Sequence, residues 1–248
     1  MSSQAEPRRP SPVRGAALFE RIDYRLIETP EDRDRLHLMR YRAYLQAGLI
    51  PPSESQRVTD HFDDAPNVWN FGVYVDGELC SSVRIHVLTS EWRQSYTTEV
   101  FGDVLHPRLD RGEVFIDPCR FVADPGMQQR FPELPYLTVR LPFIACEHFN
   151  ADVGLSMVRV DHQAFYRSVF LSRTLTEPRG FPGWPTKKAV LMASDYPQVR
   201  EKILTRFPIM RSNAFERRML FERNSQPQAQ ALSRPALVQA PLSPAGLV

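Results

Sequence analysis

The chain has 248 residues, 42% hydrophobic and 24% charged, enough for one domain of about 200 residues with its own core. A formal net charge of +2 gives no footprint for a nucleic-acid partner, and no window approaches the roughly 18 apolar residues of a transmembrane helix. Cys80, Cys119 and Cys146 are isolated and odd in number, which suggests neither a disulfide framework nor a cysteine metal site and agrees with a reducing, cytoplasmic setting.

Residues 1–18 and 224–248 are rich in Pro, Ser, Gln, Ala and Arg without amphipathic periodicity and are expected to be disordered, leaving a domain from about residue 20 to 223. The N-terminus lacks the apolar middle of a signal peptide. Nearly all the positive charge is arginine, with lysine only at Lys187, Lys188 and Lys202.

"DYRLIE" (23–28) reads as a short strand. The following "TPEDRDRLHLMRYRAYLQAG" reads as a helix capped by Thr29, with Pro30 in its first turn and Gly48 at its end. Arg40 and Arg42 flank its apolar stripe. "FGVYVDGELCSSVRIHVL" is a hairpin turning at Asp76-Gly77. Pairing Val75 with Glu78 and alternating strictly puts Phe71, Val73, Cys80, Ser82 and Arg84 on one face, and Tyr74, Leu79, Val83 and Ile85 on the other.

"EVFIDPCRFVADP" (113–125) is the next strand. Strict alternation would point Asp117 and Arg120 apart, but Pro118 has no ladder N–H to give and favours a bulge, which brings the two to one side. A helix over "LPYLTVRLPFIACEHFNA" follows, with a kink or late start expected at Pro142. Then come a strand "VGLSMVRV", a helix opening at Asp161 and strands at "SRTLTE" and "KKAVLMAS". This order predicts an α/β (α+β) fold, a mixed central sheet with helices on both faces.

Strand order and bulge together resemble the GCN5-related N-acetyltransferase fold, whose bulged, splayed central strand admits a pantetheine thioester. More narrowly, "RYRAYLQAGLI", "TDHFDD", the hairpin, "IDPCRFVADP", "LPYL" and "DHQAFYRSVF" resemble the N-acyl amino acid synthase family and, more distantly, the acyl-homoserine-lactone autoinducer synthases. The resemblance spans about residues 30–200. It implies an acyltransferase that moves a fatty acyl group from a thioester to an amine.

Coenzyme A-dependent relatives of this fold hold a pyrophosphate on a glycine-rich turn after the bulged strand. Here that segment is "ADPGMQQRFPELPYL", with Gly126 alone. The expected donor is therefore an acyl-phosphopantetheine thioester on an acyl carrier protein, with an amino acid as acceptor and no bound cofactor or metal. The alternatives are an acyl-homoserine-lactone synthase using S-adenosylmethionine, against which the Trp expected after the first helix is missing, and a non-catalytic acyl-carrier- or lipid-binding module.

By the resemblance, Asp117 is the strand carboxylate associated with amine activation and Arg120 the arginine three residues later. An Asp where the autoinducer synthases usually carry Glu makes a water-mediated proton transfer the better expectation. Arg40, Asp60, Asp63 (or Asp64) and Arg84 are placed on the substrate side, the acids to attract an ammonium and Arg84 to pair with them or with a carboxylate. Tyr166 is a loose match to a tyrosine that protonates the departing thiolate. The plain alternative for Asp117 and Arg120 is a structural ion pair, for the other charged residues a structural network, and for Tyr166 an ordinary buried helix position. His86 and His162 are expected to be structural, as is Cys119, for which the sequence places no histidine base.

Overall fold

The computed structural model describes residues 18–181 and 184–223. The two terminal segments expected to be disordered lie outside the described residues, except Leu18, which packs into the main core.

Eight strands form one mixed sheet in the order β1-β2-β3-β4-β5-β8-β6, with β7 also on β8. They are β1 (Ile22–Leu26), β2 (Val68–Val75), β3 (Glu78–Leu88), β4 (Phe115–Ala123), β5 (Val153–Arg159), β6 (Arg173–Thr174), β7 (Arg179–Phe181) and β8 (Trp184–Asp195). Among the described residues seven α-helices accompany them: α1 (Pro30–Gln46), α2 (Tyr96–Asp110), α3 (Pro125–Arg130), α4 (Leu134–His148), α5 (Gln163–Phe170), α6 (Tyr196–Arg206) and α7 (Ala214–Phe221). No helix among the described residues is long and apolar enough to cross a membrane.

The helix start read at Thr29 is present: its side chain accepts from the Asp32 amide, and Pro30 sits where an N–H would have no partner. The hairpin turns at Asp76-Gly77 with Val75 opposite Glu78, and both turn residues adopt positive φ. Strict alternation then fails. Tyr74 faces Leu79 but Val73 faces Ser81, so Cys80 is an extra residue in β3. This bulge corrects the expected faces: Phe71 and Val73 share a face with Val83 and Ile85, while Asn70 shares the other with Arg84.

A second bulge lies in β4. Ser82 pairs with Val122 and Arg84 with Cys119, so β4 carries one residue more than β3 across this interval. Arg120, with φ +52°, sits inside it. The bulge was expected at Pro118, but Pro118 pairs regularly with Ile85. Parallel pairing of β4 with β5 is confined to Phe115–Val153 and Ile116–Gly154, so Pro118 stands where β4 has left β5 and breaks no rung there.

α1 and α2 cover the face bearing Arg84 and Asp117. Leu88 and Phe115 on that face pack with Phe101, Leu105 and Leu109 of α2. α4 covers the opposite face, where Val83, Ile85, Val87 and Ile116 join Leu137, Leu141 and Ile144. α4 runs from Leu134 through Pro142, so the late start expected at that proline does not occur. α2 was not foreseen. Gly102, Pro107 and a kink at Phe101 break its helical period, although its capping box, Ser95 with Thr98, is visible in the sequence.

Candidate active site

Three arginines and two aspartates meet on the α1/α2 face of the sheet. Arg40 comes from α1, Arg84 from β3, Arg120 from the β4 bulge, and Asp60 and Asp63 from the long connection between α1 and β2. Arg40 Nη1 lies 2.8 and 2.9 Å from the two Asp63 oxygens, and its Nη2 donates to Asn70 Oδ1 at 2.9 Å. Arg84 Nη1 donates to Asp60 Oδ1 at 2.6 Å and Asp63 Oδ1 at 3.1 Å, while its Nε donates to Cys119 Sγ at 3.2 Å. Arg120 completes the knot, donating to Asp60 Oδ2 through both Nε and Nη2. Tyr44 and Tyr96 each place a ring 5.6 Å from its guanidinium carbon.

The structure brings together Arg40, Asp60, Asp63 and Arg84, which the resemblance placed on the substrate side, and adds Arg120, which was expected beside Asp117. Asp63, not Asp64, enters the knot; Asp64 pairs with Arg33 at the surface. Both buried acids already hold guanidinium groups, so their direct role here is to fix the arginines. Burial works against their charge, but the arginines outweigh it and hold both carboxyls below the usual range. Such a knot gives little net stability but a well-defined geometry.

Asp117 stands apart from this ion-pair network. It is fully buried, directly opposite His86 across the β3–β4 ladder, on the same face as Arg84 and Cys119. The Thr97 hydroxyl of α2 donates to its Oδ1 at 2.8 Å. Its Oδ2 is buried without a hydrogen-bond partner among the described residues. Burial raises its carboxyl to about 6, against the pull of Ser95, Thr97 and Arg84. The structural alternative of an Asp117–Arg120 ion pair is not what forms: Arg120 goes to Asp60 and Asp117 to Thr97. A carboxyl poised near neutrality can take a proton at working pH, as one locked in an ion pair cannot. Ser95 and Thr97 were invisible without α2.

The other face holds an apolar cleft in the fork between β4 and β5. Ile116, Pro118 and Phe121 of β4, Gly154 and Ser156 of β5, and Phe143 of α4 line it, together with Tyr166 of α5. Its free volume is about 590 Å3, counting the part open to solvent. Tyr166 is held protonated by burial, with its hydroxyl raised to about 12. Cys119 beside Arg84 is a thiol raised by burial against the pull of that arginine, and so not an activated nucleophile. His162 lies exposed on the turn before α5, away from both regions.

At the end of β4 the backbone amides that open α3 are already satisfied. Asp124 Oδ1 accepts from Gly126 N at 3.0 Å and from Met127 N at 3.1 Å. An anionic side chain thus occupies the short helix start that follows the bulged strand.

A bulged strand that parts from its parallel neighbour, an apolar cleft in the fork and a buried carboxyl beside it define an acyltransferase of the GCN5-related N-acetyltransferase-like fold. The particular family follows from comparison with known proteins. The sequence profile described as N-acyl amino acid synthase FeeM matches residues 35–195, and the chain belongs to that family. The structure is similar to that of FeeM, an N-acyl amino acid synthase from uncultured soil microbes, with a TM-score of 0.61 and 16% identity over 75% of this chain and 96% of that one. It is also similar to BjaI, a CoA-dependent acyl-homoserine lactone synthase solved with SAM and isopentyl-CoA, with a TM-score of 0.53 and 13% identity over 75% and 88% of the two chains. A third likeness is to the AHL synthase LasI, with a TM-score of 0.50 and 13% identity over 69% and 88%. Among curated proteins nothing matches.

Proposed function

We propose that this enzyme transfers a fatty acyl group from an acyl carrier protein thioester to the amine of an amino acid, in the cytoplasm. The observation that carries the reading is the position of Asp117: a carboxyl near neutrality at the root of the fork that separates β4 from β5. In aminolysis of a thioester the acceptor begins mostly as an ammonium, since the amine of a free amino acid titrates well above neutrality, higher than the value of about 8 of a chain's α-amino group. Asp117 removes one proton, directly or through water. The nitrogen attacks the carbonyl, the C–S bond breaks, and the thiolate leaves with a proton from Tyr166 or from the nitrogen. Arg40, Asp60, Asp63, Arg84 and Arg120 fix the acceptor side of the fork.

Asp124 supports the choice of donor. A carboxylate closing the first amides of α3 disfavours a coenzyme A diphosphate at that turn, whereas acyl-phosphopantetheine on a carrier protein needs no such cradle. BjaI, named as CoA-dependent, keeps coenzyme A as the second reading.

The test is thiol release from acyl-acyl carrier proteins and acyl-coenzymes A, with and without an amino-acid pool, and mass spectrometry of the lipid formed. Amino-acid-dependent release giving an N-acyl product from the carrier-protein donors is expected. Release only with S-adenosylmethionine, giving a lactone, would replace this reading with the autoinducer synthase. Binding without turnover of any donor would replace it with the binding module.

A further inference from the structure

His86 carries an unexplained feature. It is fully buried, yet only one of its ring nitrogens is engaged. Nδ1 lies 2.9 Å from the Gln94 carbonyl oxygen, which can only accept, so Nδ1 bears the hydrogen. Nε2 is then a bare acceptor, buried and without a partner among the described residues. Burial and the nearby Arg84 keep the ring neutral, opposed only weakly by Gln94, Asp60 and Asp63. Phe62 lies against it, ring centroids 5.7 Å apart.

Across the ladder, Asp117 presents the matching anomaly. Cross-strand neighbours on one face have Cβ atoms about 4.5–5.5 Å apart. Asp117 Oδ2, when ionised, is likewise a buried acceptor to which no hydrogen bond forms among the described residues, the nearby Ser95 hydroxyl bonding within its own helix cap. Two buried acceptors on facing residues call for one group between them with two hydrogens to give. Most buried polar atoms have a partner, so two bare acceptors facing one another point to a shared one.

We propose that His86 is a second member of the proton-transfer site, holding with Asp117 a two-hydrogen donor between Nε2 and Oδ2: the primary amine of the acceptor, or the water that carries its proton. The inference rests on the aminolysis reading above. In the first arm, one ammonium hydrogen passes to Asp117, and the neutral primary amine then gives its two remaining hydrogens to His86 Nε2 and to the carboxyl, which leaves its freed electron pair facing the carbonyl; N-methylglycine, with one hydrogen remaining, cannot span both. That pair forms the C–N bond, and the C–S bond breaks. The sulfur keeps its electron pair and takes the proton that the new amide nitrogen sheds. In the second arm, water spans the two acceptors and the amine gives its proton to that water as water gives one to Asp117.

The experiment compares His86→Leu and His86→Gln with the unaltered enzyme, using glycine and N-methylglycine as acceptors and thermal unfolding as a check of folding. Replacing the acceptor by Leu should lower kcat about tenfold or more with little change in donor KM, and Gln, which keeps an accepting oxygen, should restore most of it. If the amine itself is held, glycine outpaces N-methylglycine in the unaltered enzyme and the preference disappears in His86→Leu. If water is held, both acceptors slow in proportion. A folded His86→Leu with unaltered kcat overturns the proposal, whereas absence of amino-acid-dependent turnover in the unaltered protein overturns the aminolysis reading instead. Nitrogen-15 NMR of the unaltered protein gives a check independent of the variants: His86 should remain neutral with Nε2 bare from pH 5 to 8, and a hydrogen on Nε2 would contradict the assignment.

Discussion

The two faces of the sheet at β4 are built by opposite means. On the α1/α2 face, Arg40, Arg84 and Arg120 are fixed by Asp60 and Asp63 through bonds of definite direction, and Asp117 is set beside them without joining the pairing. On the α4 face, Ile116, Pro118, Phe121 and Phe143 meet in a cleft whose contacts have no preferred direction. Proton transfer requires placement to a fraction of an ångström, whereas an acyl chain requires only a shaped apolar surface. In the proposed reaction these two needs fall on opposite faces of one strand, with the β4–β5 fork between them.

The largest expected effect is on the charged face. Asp117→Asn should lower aminolysis about 10²- to 10⁴-fold while leaving donor binding intact, as read from turnover and from equilibrium binding of the acyl donor. Full turnover in this variant would end the distinction between Asp117 and the knot.

Asp60→Asn breaks the knot itself, leaving Arg84 and Arg120 short of charge in a buried setting. A loss of about 3–5 kcal/mol in urea unfolding is expected, against which the same change at the surface acid Asp64 should be nearly silent. Equal effects at the two positions would mean that the knot is no more than a surface network.

Stability should also follow the titration of Asp117. Its carboxyl lies near 6 when folded, above its ordinary value, so the folded state favours the protonated form. The associated stability is fully present below about pH 4 and is lost as pH rises through 6, on the order of 3 kcal/mol in all. Asp117→Asn should remove this dependence, making the variant relatively more stable than the unaltered protein at pH 8 than at pH 4. Asp60 and Asp63, held low, act with the opposite sign, and their contribution disappears as the solution becomes strongly acid.

Much of this contrast was legible in the sequence, for reasons that differ between the faces. The Asp76-Gly77 turn fixed the pairing of Val75 with Glu78 because two consecutive positive φ values suit few other dipeptides. It did not fix the strand beyond, since Cys80 could bulge at little cost and so exchange the two faces. Pro118 signalled that β4 is irregular but misplaced the irregularity by two residues: at Pro118 β4 has already left β5 and still pairs regularly with β3, and Arg120 took the positive φ. The residues of the knot were reached through the family resemblance, since charge order alone reads equally as a solvated face. The bonds to Asp117 depend on α2, whose glycine and proline hid its period, and the bare nitrogen of His86 depends on the path of the backbone at Gln94, which no residue pattern specifies.

The smallest effect belongs to the apolar face. Tyr166→Phe keeps the ring and removes the only polar atom that side chain brings to the cleft; about a tenfold fall in kcat is expected if its proton goes to the thiolate, with donor KM unchanged. Unchanged kcat would leave the nitrogen as the source of that proton and Tyr166 as a packing residue.

The most direct test of the account is the pH dependence of single-turnover aminolysis in the unaltered enzyme and in Asp117→Asn, with one acyl-acyl carrier protein and one amino acid. The account predicts a rate that falls about tenfold per pH unit below 6 in the unaltered enzyme and levels above it, and a variant slower by about two orders of magnitude or more at pH 7 whose rate, set by the fraction of free amine, keeps rising with pH with no break at 6. The same break in both proteins, at similar rates, would contradict it.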